Sequence, residues 1–228
     1  MAARNLALFD LDHTLLPIDS DHEWGRFLAR IGAVDAEEYA RKNEQFYQEY
    51  KDGKLDIHGF LRFALAPLAA YPREQLAAWH KQFMDEIILP EIKPQARELV
   101  ERHRKAGDLT AVVTATNSFV TGPIAALFGV EHLLATEPAT EGGADGARFT
   151  GEVEGLPNFR EGKVTRCEDW LHSLGLDWGS FGASHFYSDS ANDVPLLEKV
   201  THPVATNPDE RLRSLAQARG WPVLELFP

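Results

Sequence analysis

The chain has 228 residues, of which 44% are hydrophobic, and this is enough to bury a proper core. Its formal charge of −12 argues against a general affinity for nucleic acid or for an anionic membrane. The single cysteine, Cys167, excludes an internal disulfide and a thiolate metal cage, and a sequence with neither a signal-peptide core nor about 20 consecutive apolar residues is expected to be cytoplasmic.

The first predicted element is a short buried strand, Leu6-Ala7-Leu8-Phe9, which Asp10-Leu11-Asp12-His13-Thr14 follows directly. Both carboxylates are therefore expected at the carboxyl end of a strand, where open α/β sheets bind ligands. Two acids two residues apart face the same side of an extended chain and repel each other unless a cation or a proton intervenes. A divalent metal would relieve this repulsion, but these five residues alone are equally compatible with an Asp-rich turn that caps a helix.

After this motif, the apolar residues of a long stretch recur only at helical spacing. Breaks at Gly32, at Asp52-Gly53 and at residues 70–72 divide the stretch into about four predicted helices. The predicted domains are a helical insertion, residues 18–89, and a core made of residues 1–17 and 90–228.

Strand-like and helix-like patterns alternate over the rest of the chain, which predicts an α/β fold with a Rossmann-like parallel sheet and helices on both faces. A glycine-rich turn at residues 141–146 is expected to join the arms of a hairpin. Strands are predicted at residues 109–114, 133–136, 148–153, 184–188, 203–205 and 223–226, and later helices at 162–174 and 208–219.

The strand that Thr114 ends is followed by Ala115, which places a hydroxyl and backbone N–H groups where they suit a phosphate oxygen. The polar residues 116–118 are also good helix caps, so this cluster alone does not decide between the two uses.

A later predicted strand delivers a second pair of carboxylates, Asp189 and Asp193, into a short polar loop. An ordinary Asx-type turn explains two separate acidic strand ends less well than a metal site does. Oxygen ligands from Asp10, Asp189 and the vicinity of Asp12 fit Mg²⁺, which binds through few carboxylates and keeps waters and substrate oxygens.

An acidic protein that binds an anion needs a local cation, and Lys163 is the candidate because it opens a predicted helix. Lysine at a helix start is unfavourable against the helix dipole, which indicates that another group holds it there. A solvated surface lysine is the alternative.

Four motifs follow one another along the chain: Asp10-Leu11-Asp12-His13-Thr14, Thr114, Lys163, and the pair Asp189 and Asp193. In this order they resemble the motifs of the haloacid dehalogenase-like phosphatases. The resemblance covers nearly the whole chain, and the helical insertion after the first motif looks like the branch with phosphoserine and histidinol phosphatases. The chain departs from the family at Ser188, where Gly is frequent, and after Thr114, where phosphoserine phosphatases often have Ser-Gly-Gly. The second departure puts phosphoserine as the substrate in doubt.

The resemblance implies a Mg²⁺-dependent phosphomonoester hydrolase that acts on a small phosphorylated metabolite through an aspartyl-phosphate. Asp10 would be the nucleophile and Asp12 the general acid and base. The other implied roles are phosphate binding by Thr114, Ala115 and Lys163, metal binding by Asp10, Asp12 and Asp189, and support by Asp193 and Asn192. The presence of Asp12 argues against the dehalogenase branch.

Specificity is expected from the helical insertion, which would act as a cap over the site. The candidate specificity residues are Asp19, Asp21, His22 and Arg62. Acids at this place suit an amine-bearing substrate such as histidinol phosphate or phosphoserine, although Asp19 or Asp21 could instead cap the next helix. A phosphotransferase or mutase with the same intermediate, or a catalytically idle binding module, stays open, and so does the oligomeric state.

Overall fold

A seven-stranded sheet forms the centre of the computed structural model, which describes residues 4–227. Its strands are β1 (Leu6–Phe9), β2 (Leu109–Asn117), β3 (His132–Thr140), β4 (Phe149–Glu154), β5 (Ser184–Ser188), β6 (His202–Thr206) and β7 (Val223–Leu224). They lie in the order β4-β3-β2-β1-β5-β6-β7, and all neighbours are parallel except the hairpin pair β3 and β4. The predicted α/β fold is confirmed.

β1 occupies the middle of the sheet, and all four of its residues are completely buried. Its last residue, Phe9, pairs with Val112 of β2 on one side and with Tyr187 of β5 on the other. The chain leaves β1 in one direction and returns to its other side much later, so β1 lies at a topological switch point. The carboxyl ends of β1, β2 and β5 therefore meet at one edge of the sheet.

The helices are α1 (Ser20–Arg30), α2 (Ala36–Lys51), α3 (Ile57–Ala70), α4 (Arg73–Phe83), α5 (Leu89–Glu91), α6 (Pro94–Ala106), α7 (Ser118–Leu127), α8 (Glu161–Ser173), α9 (Val194–Lys199) and α10 (Glu210–Arg219). A π-helical turn, Met84–Ile88, links α4 to α5. Along residues 4–227, no helix combines the length and the apolar character needed to cross a membrane.

The helices α1 to α4 lie where helical periodicity predicted them, and they pack against the sheet unequally. Trp24 and Phe27 of α1 and Phe83 of α4 belong to the same hydrophobic cluster as Phe9 of β1. In contrast, the only buried residue of α2 is the polar Asn43. The division into a core and a cap at residues 18–89 stays a prediction, because α1 and α4 share the core of the sheet.

Three strands end two or more residues away from the predicted positions. β3 continues past Thr136 to Thr140. β2 continues past Thr114 to Asn117, and its pairing with β3 shifts register between Val113 and Asn117. The side-chain amide of Asn158 explains the shift, because its Nδ2 donates to the carbonyls of both Thr114 and Leu134, at 2.8 and 2.7 Å, between the two strands. β7 is shorter than predicted and ends at Leu224.

Candidate active site

Lys163 is the centre of a buried ion-pair network at the edge where β1, β2 and β5 end. Its Nζ donates to Asp10 Oδ1 at 3.0 Å and to Asp193 Oδ2 at 2.7 Å, and Ser188 Oγ donates to the same Asp193 oxygen at 2.7 Å. Burial opposes the charge on Lys163, but the two carboxylates outweigh it and raise its pKa above the usual value. The charge of this lysine at a helix start is therefore held by carboxylates from other elements.

Asp189 faces the same group of carboxylates and is fixed by Thr14. The Thr14 hydroxyl donates to Asp189 Oδ1 at 3.2 Å and accepts the Asp189 backbone N–H at 3.0 Å. Burial, followed by repulsion from Asp10 and Asp193, raises the pKa of Asp189 well above its ordinary range. The first and the last acidic motifs, which are far apart in sequence, are thus joined by one threonine.

Asp12 is held by two donors from different elements. The backbone N–H of Ser20, at the start of α1, donates to Oδ1 at 2.7 Å, and the Thr116 hydroxyl donates to Oδ2 at 2.9 Å. Burial, followed by repulsion from Asp19, raises the pKa of Asp12 to about 7 despite these bonds. A carboxyl group with such a pKa can both give and take a proton near neutral pH.

The pKa of Asp10 is also raised to about 7, mainly by burial. Lys163 opposes this shift, whereas the charges of Asp193 and Asp12 add to it. Four carboxylates, Asp10, Asp12, Asp189 and Asp193, thus share this edge with the single ammonium group of Lys163. Such an excess of buried negative charge calls for a further cation.

The donor chemistry of this edge fits Mg²⁺. Among residues 4–227, no three His, Cys, Asp or Glu side chains form a ready-made metal cluster. Mg²⁺ does not require one, because it is usually bound by one or two carboxylates and completes its shell with waters and phosphate oxygens. Asp10 and Asp189 bear carboxylate oxygens of the kind that this mode of binding uses, and they are the residues that would hold the ion.

A cavity opens from these polar groups toward α2 and α3 and encloses about 700 Å³, part of it open to solvent. Thr114, Ala115 and Thr116 line its polar end beside Asp10, Asp12 and Lys163. The opposite wall is mostly apolar and is formed by Phe46, Tyr47, Tyr50, Leu55, Ile57, Phe60 and Phe159. The cavity can therefore hold a small molecule with a polar group at one end.

The predicted specificity residues are only partly brought to this cavity. Asp19, Asp21 and His22 line it. Asp19 also caps α1, because its Oδ1 accepts the backbone N–H groups of Asp21 and His22 at 3.0 and 2.8 Å. Burial and then the charges of Asp19 and Asp12 raise the pKa of Asp21 well above its ordinary range. Arg62 is exposed and lies in a separate groove with Tyr39 and Phe63.

Two residues of the site were not assigned to it from the sequence. Thr116, interpreted as a possible helix cap, instead donates to Asp12. Asn158 is fully buried and holds the backbone of Thr114. Asn192, predicted to support the site, lies outside the cavity lining, and its side-chain amide donates to the carbonyl of Tyr50 at 3.2 Å. A single sequence gives no signal for Asn158, because a loop asparagine is usually a turn residue.

The chain resembles known proteins over nearly its whole length. A family model described as haloacid dehalogenase-like hydrolase matches residues 7–198. The chain is 49% identical over 221 residues to a histidinol-phosphatase of Neisseria meningitidis, covering 97% of this chain and 98% of that protein.

Two solved structures extend the comparison. A protein of unknown function from Bordetella pertussis Tohama I shares 55% identity, with a TM-score of 0.93 over 99% of this chain and 100% of that chain. A substrate-bound phosphoserine phosphatase, 21% identical, superposes with a TM-score of 0.69 over 98% of this chain and 94% of that one. The second likeness is one of fold alone. The family resemblance inferred from the motifs is confirmed.

Proposed function

This chain belongs to the haloacid dehalogenase-like hydrolase family and is a phosphatase, and we propose that it hydrolyses an amine-bearing phosphomonoester, histidinol phosphate, through an aspartyl-phosphate with Mg²⁺ as cofactor. The observation that carries the proposal is the contact of Lys163 with Asp10, beside an Asp12 carboxyl group with a pKa of about 7. Nucleophile, cation and proton donor then share one edge of the sheet.

The proposed reaction has two steps, formation and hydrolysis of the aspartyl-phosphate. A carboxylate oxygen of Asp10 attacks phosphorus, the bond from phosphorus to the ester oxygen breaks, and Asp12 gives its proton to the departing alkoxide. In the second step, the ionised Asp12 takes a proton from water while the water oxygen attacks the phosphorus of the aspartyl-phosphate. The bond to Asp10 breaks, which releases inorganic phosphate and restores both carboxyl groups.

Charge balance makes these steps feasible. A carboxylate approaches a phosphate dianion only when nearby positive charge offsets their repulsion. Lys163 supplies one such charge, and Thr114 with the backbone at Ala115 offers neutral contacts to the phosphoryl oxygens. Mg²⁺, held by Asp10, Asp189 and the carbonyl of Asp12, would supply the remaining charge neutralisation when bound.

The amine-bearing substrate is supported by residues that line the α1 and α2 sides of the cavity. Asp21 brings a second acid to the α1 side of the cavity, where Asp19 is occupied with capping the helix. Aromatic rings of Tyr47 and Tyr50 line the same cavity, and such faces favour cationic or planar groups. The Neisseria relative bears the name of an enzyme for a substrate with both an amine and an imidazole.

The proposal is tested by measuring release of inorganic phosphate from histidinol phosphate, phosphoserine, glycerol phosphate and p-nitrophenyl phosphate, with Mg²⁺ and after its removal by EDTA. We expect a clear preference for histidinol phosphate and a requirement for Mg²⁺. Asp21→Asn should reduce that preference about tenfold, the worth of one charged contact, whereas the exposed Asp145→Asn should not. An equal rate on glycerol phosphate would refute the amine-bearing class, and transfer of phosphate to added alcohols without free phosphate would identify a phosphotransferase.

A further inference from the structure

Arg160, in the loop before α8, connects this loop to the turn between α2 and α3. Its Nη2 donates to the carbonyl of Gly53 at 2.6 Å. Its Nε and Nη2 also lie 3.2 and 3.1 Å from Asn192 Oδ1, where both donate. Asn192 in turn donates to the carbonyl of Tyr50 at 3.2 Å. One guanidinium group thus holds two loops of the core and the end of α2 together.

The backbone of Arg160 pays a conformational cost for this position. Its φ is +51° and its ψ is −120°, a region that glycine adopts readily and an arginine avoids. Residues persist in such conformations only where the surrounding structure requires them, and they cluster at active sites and ligand clamps. The required group here is the guanidinium, because its contacts join elements that are otherwise far apart in sequence.

The elements that Arg160 joins are those that carry the active site. Arg160 is the residue before α8, and Lys163 is in the first turn of this helix. Asn192 immediately precedes Asp193, the second partner of Lys163. Tyr50, whose carbonyl Asn192 holds, lines the catalytic cavity. A displacement of the α2–α3 turn would therefore shift the loops that position Lys163 and Asp193, the two partners of this ion pair.

The α2–α3 turn, residues 52–56, has one buried side chain, Leu55, which lines the catalytic cavity and belongs to neither hydrophobic cluster of the sheet. The Arg211 side chain also lies against Gly53. Asn43 is the only buried residue of α2, whereas α3 is anchored at its far end, where Leu65 and Leu68 pack against Phe149 of β4. Elements with little buried apolar surface open at low free-energy cost. The polar contacts of Arg160 and Asn192 hold the end of α2 that lies over the site.

We propose that Arg160 is a positioning residue that latches the α2–α3 turn onto the loops carrying Lys163 and Asp193, and so keeps the cavity closed over a bound phosphoryl group. Its kinetic consequence rests on the phosphatase function proposed above, whereas its structural consequence does not. The latch acts through Gly53 and Asn192 and makes no contact with the reacting atoms.

The test uses Arg160→Gly, which suits the positive φ while it removes the guanidinium. Thermal unfolding should show a midpoint equal to or above that of the wild type, because strain is relieved. Hydrogen exchange of the amides in residues 50–56, followed with Mg²⁺ and fluoroberyllate, should be at least tenfold faster than in the wild type. For histidinol phosphate, kcat/KM should fall roughly ten- to a hundredfold, the effect of a lost charged hydrogen bond.

Two further variants separate a latch from a general structural role. Arg166→Gln removes an arginine within α8, whose Nη1 donates to the Leu156 carbonyl at 3.2 Å and not to the α2–α3 turn, and it should change neither exchange nor kinetics. Arg160→Lys places one ammonium group where the guanidinium group was, and it should restore part of the protection of residues 50–56 against hydrogen exchange. It replaces Arg160→Gly as the test if that variant does not fold.

Unchanged exchange at residues 50–56 in the Arg160 variants would overturn the latch. A fall in the unfolding midpoint that accounts for the lost activity would overturn it too. A wild-type protein that releases no phosphate would instead contradict the proposed function, while the exchange measurement would still decide on the latch.

Discussion

Lys163 and Asp10, 153 positions apart in the sequence, meet at 3.0 Å with both side chains almost fully buried. The pair is the link between the first strand of the sheet and the start of α8. Since Asp193 accepts from the same ammonium group at 2.7 Å, Lys163 balances two carboxylates at once. The stability of this edge and its chemistry therefore depend on the same charges.

Asp10→Asn is expected to abolish phosphatase activity without loss of stability. The amide cannot act as the nucleophile, so release of phosphate should fall by a factor on the order of a thousand or more. Burial and the carboxylates of Asp193 and Asp12 already disfavour the charge on Asp10. The unfolding midpoint should therefore stay unchanged or rise, as when a strained active-site group is removed. Retained activity in this variant would contradict the aspartyl-phosphate mechanism, and Asp145→Asn provides the exposed control.

Lys163→Met should destabilise the protein by roughly 3–5 kcal/mol, because it leaves Asp10 and Asp193 buried without their shared partner. Urea unfolding at pH 7.5 measures this free energy. Adding Asp193→Asn should recover part of the loss, since one of the uncompensated charges is then gone. The exposed Lys105→Met is the matched control. If the double variant is no more stable than the single one, repulsion between the carboxylates is not the cause.

Asn158→Ala should destabilise the protein by about 2–4 kcal/mol, since the carbonyls of Thr114 and Leu134 lose their donor in a buried place. Because Thr114 lines the cavity, KM for the substrate should rise as well. Chemical unfolding and steady-state kinetics measure the two effects. Asn5→Ala serves as the control. Asn207→Ala is unsuitable as a control, because the side chain of Asn207 donates a hydrogen bond to the first motif. A normal KM in Asn158→Ala would show that the Thr114 backbone does not need this amide.

His80 should make stability depend on pH below neutrality. Burial lowers the pKa of His80 below 6.5, with the hydrogen bond to the Val120 carbonyl opposing the shift. As the pH falls below 6.5, the unfolded chain takes up this proton before the folded one does, so the free energy of unfolding decreases until the folded-state pKa is passed. His80→Gln should be less stable at pH 8 and should lose less stability between pH 7 and pH 5, by about 1.4 kcal/mol for each unit of pKa shift.

Urea unfolding at several pH values checks this prediction, with His58→Gln as the exposed control. Identical pH dependence in the wild type and in His80→Gln would exclude His80 as the source. His80 lies where α4 packs against α7, and it bonds to none of the proposed catalytic residues.

The sequence alone predicted the order of the strands and helices and the polar residues that lie at their ends. Strand period, helical period and glycine breaks are local properties, and they placed β1 and the helices α1 to α4. Asp10, Asp12, Lys163 and Asp189 were recognisable because each follows or opens an element whose pattern is visible in the chain. Their meeting at one edge follows from the general rule that parallel strands align their carboxyl ends.

Only the tertiary structure decided which neighbours hold these residues. Thr116 and Arg160 act through partners more than 100 positions away, Asp12 and Gly53 respectively, and no local pattern encodes such pairs. The register shift between β2 and β3 likewise occurs where the amide of Asn158, from a distant loop, bonds to both strands. Hydrogen bonds between remote segments are set by how the packed elements approach each other, and this approach is the part of the fold that residue periodicity leaves open.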